Sequence, residues 1–230
     1  MPVGDVTKAL VTKVKSRIGE DTEPGHFSQA QVIEWLDEAQ RRLCIQGPVL
    51  NTVGYASTVQ NVEFYTLPTD YYQMIRVEYR PTGGQARELE PWSFSRKKPG
   101  SNQGIPQGYG IWGANDANQN NMLVLWLDYV LASNGVDDLW IFYRSMPHVL
   151  STTVDPEVAV HWQDFMVDYA EMMARQRLVA YDKTHQFPLQ MARESWARGL
   201  QDAKRAAADV FSAPKAMYPI DNAGYTEEWP

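Results

Sequence analysis

The hydrophobic positions change rhythm twice along the chain. Val6, Leu10, Val14 and Ile18 recur every four residues, which predicts a helix over about 3–18 with Gly19 as its stop. A second helix begins at Ser28. Gln31 stands three positions on for a capping box, and Phe27 with Val32 can form a hydrophobic staple. Val32, Leu36, Ala39 and Leu43 then share a face, and Gly47-Pro48 ends it. From about 51 to 145 the runs are short and separated by turn residues. They include 62–67, 73–79, 122–127 and 138–143, with breaks at Pro68, Pro81-Thr82-Gly83-Gly84, Pro99-Gly100 and Asn115-Asp116-Ala117-Asn118. That spacing predicts an antiparallel β module with long hairpins.

Helical spacing returns at Asp155-Pro156-Glu157, which reads as an N-cap acid followed by proline at the first helical position. Val158, Trp162, Phe165, Met166, Tyr169, Met172 and Met173 carry an apolar stripe to about Asp182. Pro188 opens a further helix with Ala192, Trp196, Leu200, Ala203, Ala207 and Val210 on its face. The fold class is therefore α+β. A helical bundle from residues 1–50 and 146–211 encloses an inserted antiparallel β domain, 51–145, and an extended C-terminal arm follows at 212–230.

Composition narrows the function. The 230 residues include 8 Trp and 12 Tyr, an aromatic content suited to protein contacts as well as to cores. The net charge of −7 disfavours specific nucleic-acid binding, and Arg96-Lys97-Lys98 reads as a solvated loop tip. The single cysteine, Cys44, cannot form an intrachain disulfide and reads as a small buried hydrophobe. Neither a membrane span nor a signal-peptide pattern is expected.

The search for chemistry is largely negative. His26, His148, His161 and His185 lack zinc-type spacing. Asp116-x-Asn118-x-Asn120 starts like a calcium loop, but Asn121 stands where glycine is needed and Leu127 where a glutamate is needed. Gly83-Gly84 and Gly108-Tyr109-Gly110 lack the context of a phosphate loop. Glu63 and Asp128, the acids within apolar runs, read as outward strand positions, and Asp137-Asp138 point apart. No catalytic residues, metal ligands or cofactor are expected. Trp92, Tyr109, Trp112 and Trp126 leave open a carbohydrate-binding or host-recognition module, and paired acids leave open a glycan hydrolase.

Three passages resemble the head-to-tail adaptor (connector) proteins of tailed bacteriophages, the tail tubular A and gatekeeper-ring-like group. The first is the helix Val32–Leu43 with Ala39-Gln40. The second is Tyr65-Thr66-Leu67-Pro68-Thr69-Asp70-Tyr71-Tyr72 running into Ile75-Arg76-Val77. The third is Leu139–Pro147, then Leu150-Ser151 and Asp155-Pro156, with Asp168-Tyr169-Ala170 on the following helix. The Gly/Asn-rich stretch 94–121 departs from that pattern by its length. The resemblance implies a structural, non-enzymatic virion protein at the head–tail junction, assembled in the host cytoplasm. It implies a ring of twelve copies that joins the portal protein to a tail nozzle or tail-completion protein. Double-stranded DNA would pass through the lumen without sequence-specific binding, and no membrane would be involved. The candidate portal-docking residues are Tyr218, Tyr225 and Trp229 on the arm. The candidate tail-side loop residues are Trp92, Tyr109 and Trp112.

Overall fold

The computed structural model describes residues 4–20, 25–92, 103–115 and 121–212. Among the described residues, four helices and seven strands make an α+β protein. They are α1 (Asp5–Ile18), α2 (Gln29–Gln46), β1 (Asn51–Ala56), β2 (Phe64–Thr66), β3 (Tyr71–Tyr79), β4 (Arg87–Pro91), β5 (Gly108–Asn115), β6 (Asn121–Leu127), β7 (Leu139–Ser145), α3 (Val160–Leu178) and α4 (Gln186–Ser212). A 3-10 turn, Lys183–His185, precedes α4. Two compact units emerge, one from Met1–Asn51 and Ser145–Phe211 and one containing Thr52–Arg144.

In the first unit the local signals act as the sequence suggests at two ends. Gly19 takes φ 81° and closes α1. The Ser28 amide donates to Gln31 Oε1, and the Gln31 amide donates back to Ser28 Oγ, completing a capping box. α3 is the central helix. Its salt bridges to α1 pair Lys13 with Asp164 and Arg17 with Asp168, so those two helices run parallel. Arg177 lies over Trp35 and Arg42 over Tyr169, so α2 runs the other way. α4 is also antiparallel to α3, since Ser195 bonds Asp168 while Gly199 lies against Phe165. Val14, Val32, Leu36, Ala39, Leu43, Met166, Val167 and Ala170 fill the core between them with no exposure.

The start of α3 differs from the sequence expectation. The helix begins at Val160, behind an uncapped Ala159. The Glu157 amide, which an N-cap at Asp155 would need, donates instead to the buried Gln40 of α2. Asp155 serves α1: Oδ2 accepts from the Gly4 amide at 3.0 Å and Oδ1 from the Thr7 amide at 3.1 Å.

In the second unit the sheet order is β1-β7-β3-β4-β5-β6-β2. The sheet is mixed rather than antiparallel, because β4 pairs with β5 in parallel (Glu90 opposite Gly108). A parallel pair cannot be joined by a tight hairpin and needs a long crossover. β4 ends at Pro91 and β5 begins at Gly108, which leaves chain enough for such a connection. Tyr65, Leu67, Val77, Leu89, Leu125, Leu127, Leu139, Ile141 and Tyr143 build a core separate from that of the helices.

Candidate functional site

Strand alternation sends one set of side chains into the second core and the other set outward. On β7, Leu139, Ile141, Tyr143 and Ser145 are buried, while Trp140, Phe142 and Arg144 lie on the opposite face. Trp140 meets the half-exposed ring of Tyr55 edge-on at 4.9 Å. From β3 and the residue just beyond it, the Arg80 guanidinium lies 3.7 Å from the Trp140 centroid and that of Arg76 lies 4.1 Å from Phe142. Glu78 stands between the two cations, 2.8 Å from Arg76 Nε and 2.6 Å from Arg80 Nη2. Flat guanidinium–ring stacking pinned by a shared carboxylate makes this part of the face rigid.

The other half of the sheet carries a second aromatic row. Phe64, Trp126 and Gly110 are direct neighbours across β2, β6 and β5, as are Thr66, Val124 and Trp112. Phe64 and Trp126 have centroids 5.3 Å apart, and Trp126 meets Trp92 edge-on at 5.2 Å. Two glycines of β5 let Trp92 approach the strand closely. A Cβ on Gly110 would lie 3.2 Å from the Trp92 ring, and one on Gly108 would lie 2.8 Å from it. The Trp126 indole N–H donates to Glu63 at 2.7 Å, which fixes the ring's edge.

The sequence-derived tail-side residues therefore occupy three different settings. Trp92 follows β4 and packs over the glycines of β5. Trp112 is a strand residue of β5, 49% exposed, rather than a loop residue. Tyr109 is also on β5 but is buried, and its phenol is pushed up to about 12 by burial, with Tyr71 and Glu88 adding to the shift. Their spacing along β5 explains the split: Tyr109 and Trp112 differ by an odd number and so face opposite ways. The arm residues Tyr218, Tyr225 and Trp229 lie outside the described residues, as do Arg96-Lys97-Lys98 and Asp116, Asn118 and Asn120.

Sequence reasoning missed two buried acids. Asp138 is 1% exposed, and it accepts from the Thr58 amide at 2.8 Å and from the Thr58 hydroxyl at 2.5 Å. Asp137 beside it is exposed, so the pair points apart. In the first unit, Asp168 accepts from Arg17 of α1 and from the Ser195 hydroxyl of α4, both at 2.5 Å. A hydroxyl on one side and a main-chain or guanidinium donor on the other account for both carboxylates as structural clasps. Cys44 is buried, and its thiol is pushed up to about 12 by burial and secondarily by Glu157, which keeps it unreactive. Among the described residues no three potential metal-ligating side chains cluster, and no helix is long and apolar enough to cross a membrane.

Rigid aromatic and arginine side chains on a sheet face are the anchors of protein–protein recognition. A family model described as SU10 adaptor protein matches residues 7–218, and the chain belongs to that family of phage head-to-tail adaptors. It is accordingly a bacteriophage structural protein and a virion component. No curated protein matches the chain in sequence.

Proposed function

We propose that copies of this chain form a ring, twelve to the turn, that joins the portal to the tail and leaves a lumen for DNA. The observation that carries this reading is the family match across residues 7–218, which spans both units. The four helices, read as a bundle, pack side by side around the ring. The sheet unit supplies the tail-side contact through Trp112 and its neighbours. The segment from residue 212 onward acts as the arm that locks onto the portal through Tyr218, Tyr225 and Trp229. Assembly takes place in the host cytoplasm, and no step requires catalysis or a cofactor. The net charge of −7 suits a conduit, because like charge keeps DNA from adhering to the wall.

Mass photometry of the full chain, alone and with the cognate portal, tests the reading. Rings in either condition support it, and monomers in both reject it. Removal of residues 212–230 should abolish portal attachment while the far-ultraviolet circular dichroism is retained. Unchanged attachment rejects the arm.

A further inference from the structure

The sheet of the second unit closes on itself. β1 and β2 stand at the two ends of the strand order, yet a Cβ on Gly54 of β1 would lie 3.2 Å from Pro68, just beyond β2. The Tyr143 hydroxyl of β7 donates to Asp70, a little further along the same segment, at 2.9 Å. A sheet whose first and last strands meet is a barrel, with alternate side chains inside and outside. The inner set is the core built on Tyr65, Val77, Leu89, Leu125 and Ile141. Around the circuit of strands, β6 stands across the barrel from β7 and β3. The two aromatic rows on the outer surface therefore look away from each other.

Their surroundings differ in charge. β1, β3 with the following Arg80, and β7 carry Arg76, Arg80 and Arg144 against Glu78 alone, and the first two arginines share that glutamate. Across the barrel, the described stretches 61–67, 88–92, 103–115 and 121–131 contain Glu63, Glu88, Glu90 and Asp128 and neither lysine nor arginine. Three of these acids stand at the Phe64–Trp126 end. Glu63 holds the Trp126 indole, Glu90 is opposite Gly108 at the start of β5, and Asp128 accepts from the Gln107 amide at 3.0 Å. Trp112 lies toward the other end of β5, clear of them. Each side thus joins aromatic rings, with Tyr55 56% exposed on one and Phe64 48% on the other, to charge of one sign. Ring anchors beside complementary charge are what a protein–protein contact uses.

We propose that neighbouring copies of the chain meet through their sheet units, the side of Trp140, Phe142 and Arg144 of one against the side of Phe64, Trp126 and Glu90 of the next. The two sides differ, so the contact is head to tail, and repeated with a constant rotation it closes a ring. Charge sets its direction, since two basic sides or two acidic sides facing each other repel. The inference rests on the ring reading above and adds which surfaces meet.

Charge reversal in the full chain tests the contact. Glu90→Arg and Arg144→Glu each place like charge across it. Each should raise the concentration needed for rings, read by mass photometry with the cognate portal present, about tenfold. The double variant E90R/R144E faces opposite charges again and should regain most of that loss. Tyr55→Glu makes the Arg144 reversal from β1 without touching β7, and thermal melts like that of the wild type establish that each variant is folded. Arg96-Lys97-Lys98, outside the described residues, stay unchanged in every chain, so a difference belongs to the substituted pair. Folded single variants that assemble as the wild type does, or a double variant no better than either single one, would overturn the inference. So would R144E rings that form normally and lose only the tail component, which would give the stacked side to the tail. Wild-type monomers with and without the portal would instead reject the ring reading, and this contact with it.

Discussion

Asp155 caps α1 from far along the chain: its Oδ1 accepts from the Thr7 amide, 148 residues earlier, at 3.1 Å. Oδ2 takes the Gly4 amide, and Thr7 Oγ1 donates to the Val154 carbonyl at 2.8 Å. α1 has no cap of its own, since Gly4 has no side chain to offer. The first free amides of a helix favour a negatively charged acceptor, so the carboxylate fills both roles. The amino-terminal helix thus depends on a residue that follows the whole sheet unit.

Replacing Asp155 by alanine should lower the melting temperature by about 2–4 °C, the loss expected of one N-cap in a chain of this size. The effect should depend on pH in a defined direction. Desolvation pushes the Asp155 carboxyl up, but the amides of Thr7, Gly4 and Val6 and the charge of Lys8 outweigh it, and the group ends below its ordinary 3.8. A depressed carboxylate contributes stability above its unfolded value and loses it as pH falls through the folded one. Thermal melts of the wild type and D155A should therefore stay apart above about pH 5 and converge toward pH 3. A gap that persists at acid pH would show that the capping charge is not the cause.

Gly199 makes a prediction that runs against helix propensity. A Cβ there would lie 2.2 Å from Phe165 Cδ1 and 2.3 Å from Cγ, so the ring would have to move as a whole. Gly199→Ala gains about 1 kcal/mol in helix propensity. Overpacking typically costs about 1–3 kcal/mol and should exceed that gain. Urea denaturation should show G199A less stable than the wild type, and Phe165→Leu in the same chain should restore much of the loss. A G199A variant more stable than the wild type would mean that Phe165 rotates away freely.

Local signals in the sequence hold where they are answered locally. The Ser28–Gln31 box and the Gly19 stop are satisfied within a few residues of themselves. Asp155-Pro156-Glu157 has the same appearance, yet its donors are taken by Gln40 of α2 and its carboxylate by α1, partners over a hundred residues away. The sheet shows the same divide. Alternation over 73–79 and 138–143 marks β3 and β7, but the parallel register of β4 and β5 leaves no local trace, because crossover and hairpin loops share a polar, glycine-rich composition. Trp92, Tyr109 and Trp112 are alike in residue type, and only the strand's alternation separates the buried tyrosine from the exposed tryptophan. Asp138 and Asp168 could not be distinguished from solvated acids without their partners in space.

Alkaline pH should unfold the protein through its buried tyrosines. Tyr143 is pushed up to about 12 by burial and then by its hydrogen bond to, and the charge of, Asp70. Tyr169 is pushed up to about 12 by burial and then by Glu38, and Tyr109 by burial as described above. A raised folded value means that the native state keeps the proton while the unfolded chain releases it near 10. The stability these groups contribute is complete below about pH 10 and is lost as pH rises toward 12. Tyrosinate absorbance should accordingly rise in two steps, with the later step coinciding with loss of circular dichroism. A single step near pH 10 in a chain that remains folded would contradict the burial of all three rings.

The two residues of β5 that face opposite ways should separate folding from joining. Tyr109→Ala empties a buried position in the sheet core and should cost about 3–5 kcal/mol, enough to unfold or weaken the second unit under mild urea. Trp112→Ser removes a half-exposed ring from the outer face and should change stability by no more than about 0.5 kcal/mol. If the outer face is the tail-side contact, W112S should form rings on a portal as the wild type does and then fail to retain the tail component in co-sedimentation. Retention equal to that of the wild type would move the tail contact away from β5, toward the stacked face of Trp140 and Phe142, where Arg80→Ala is the corresponding variant to test.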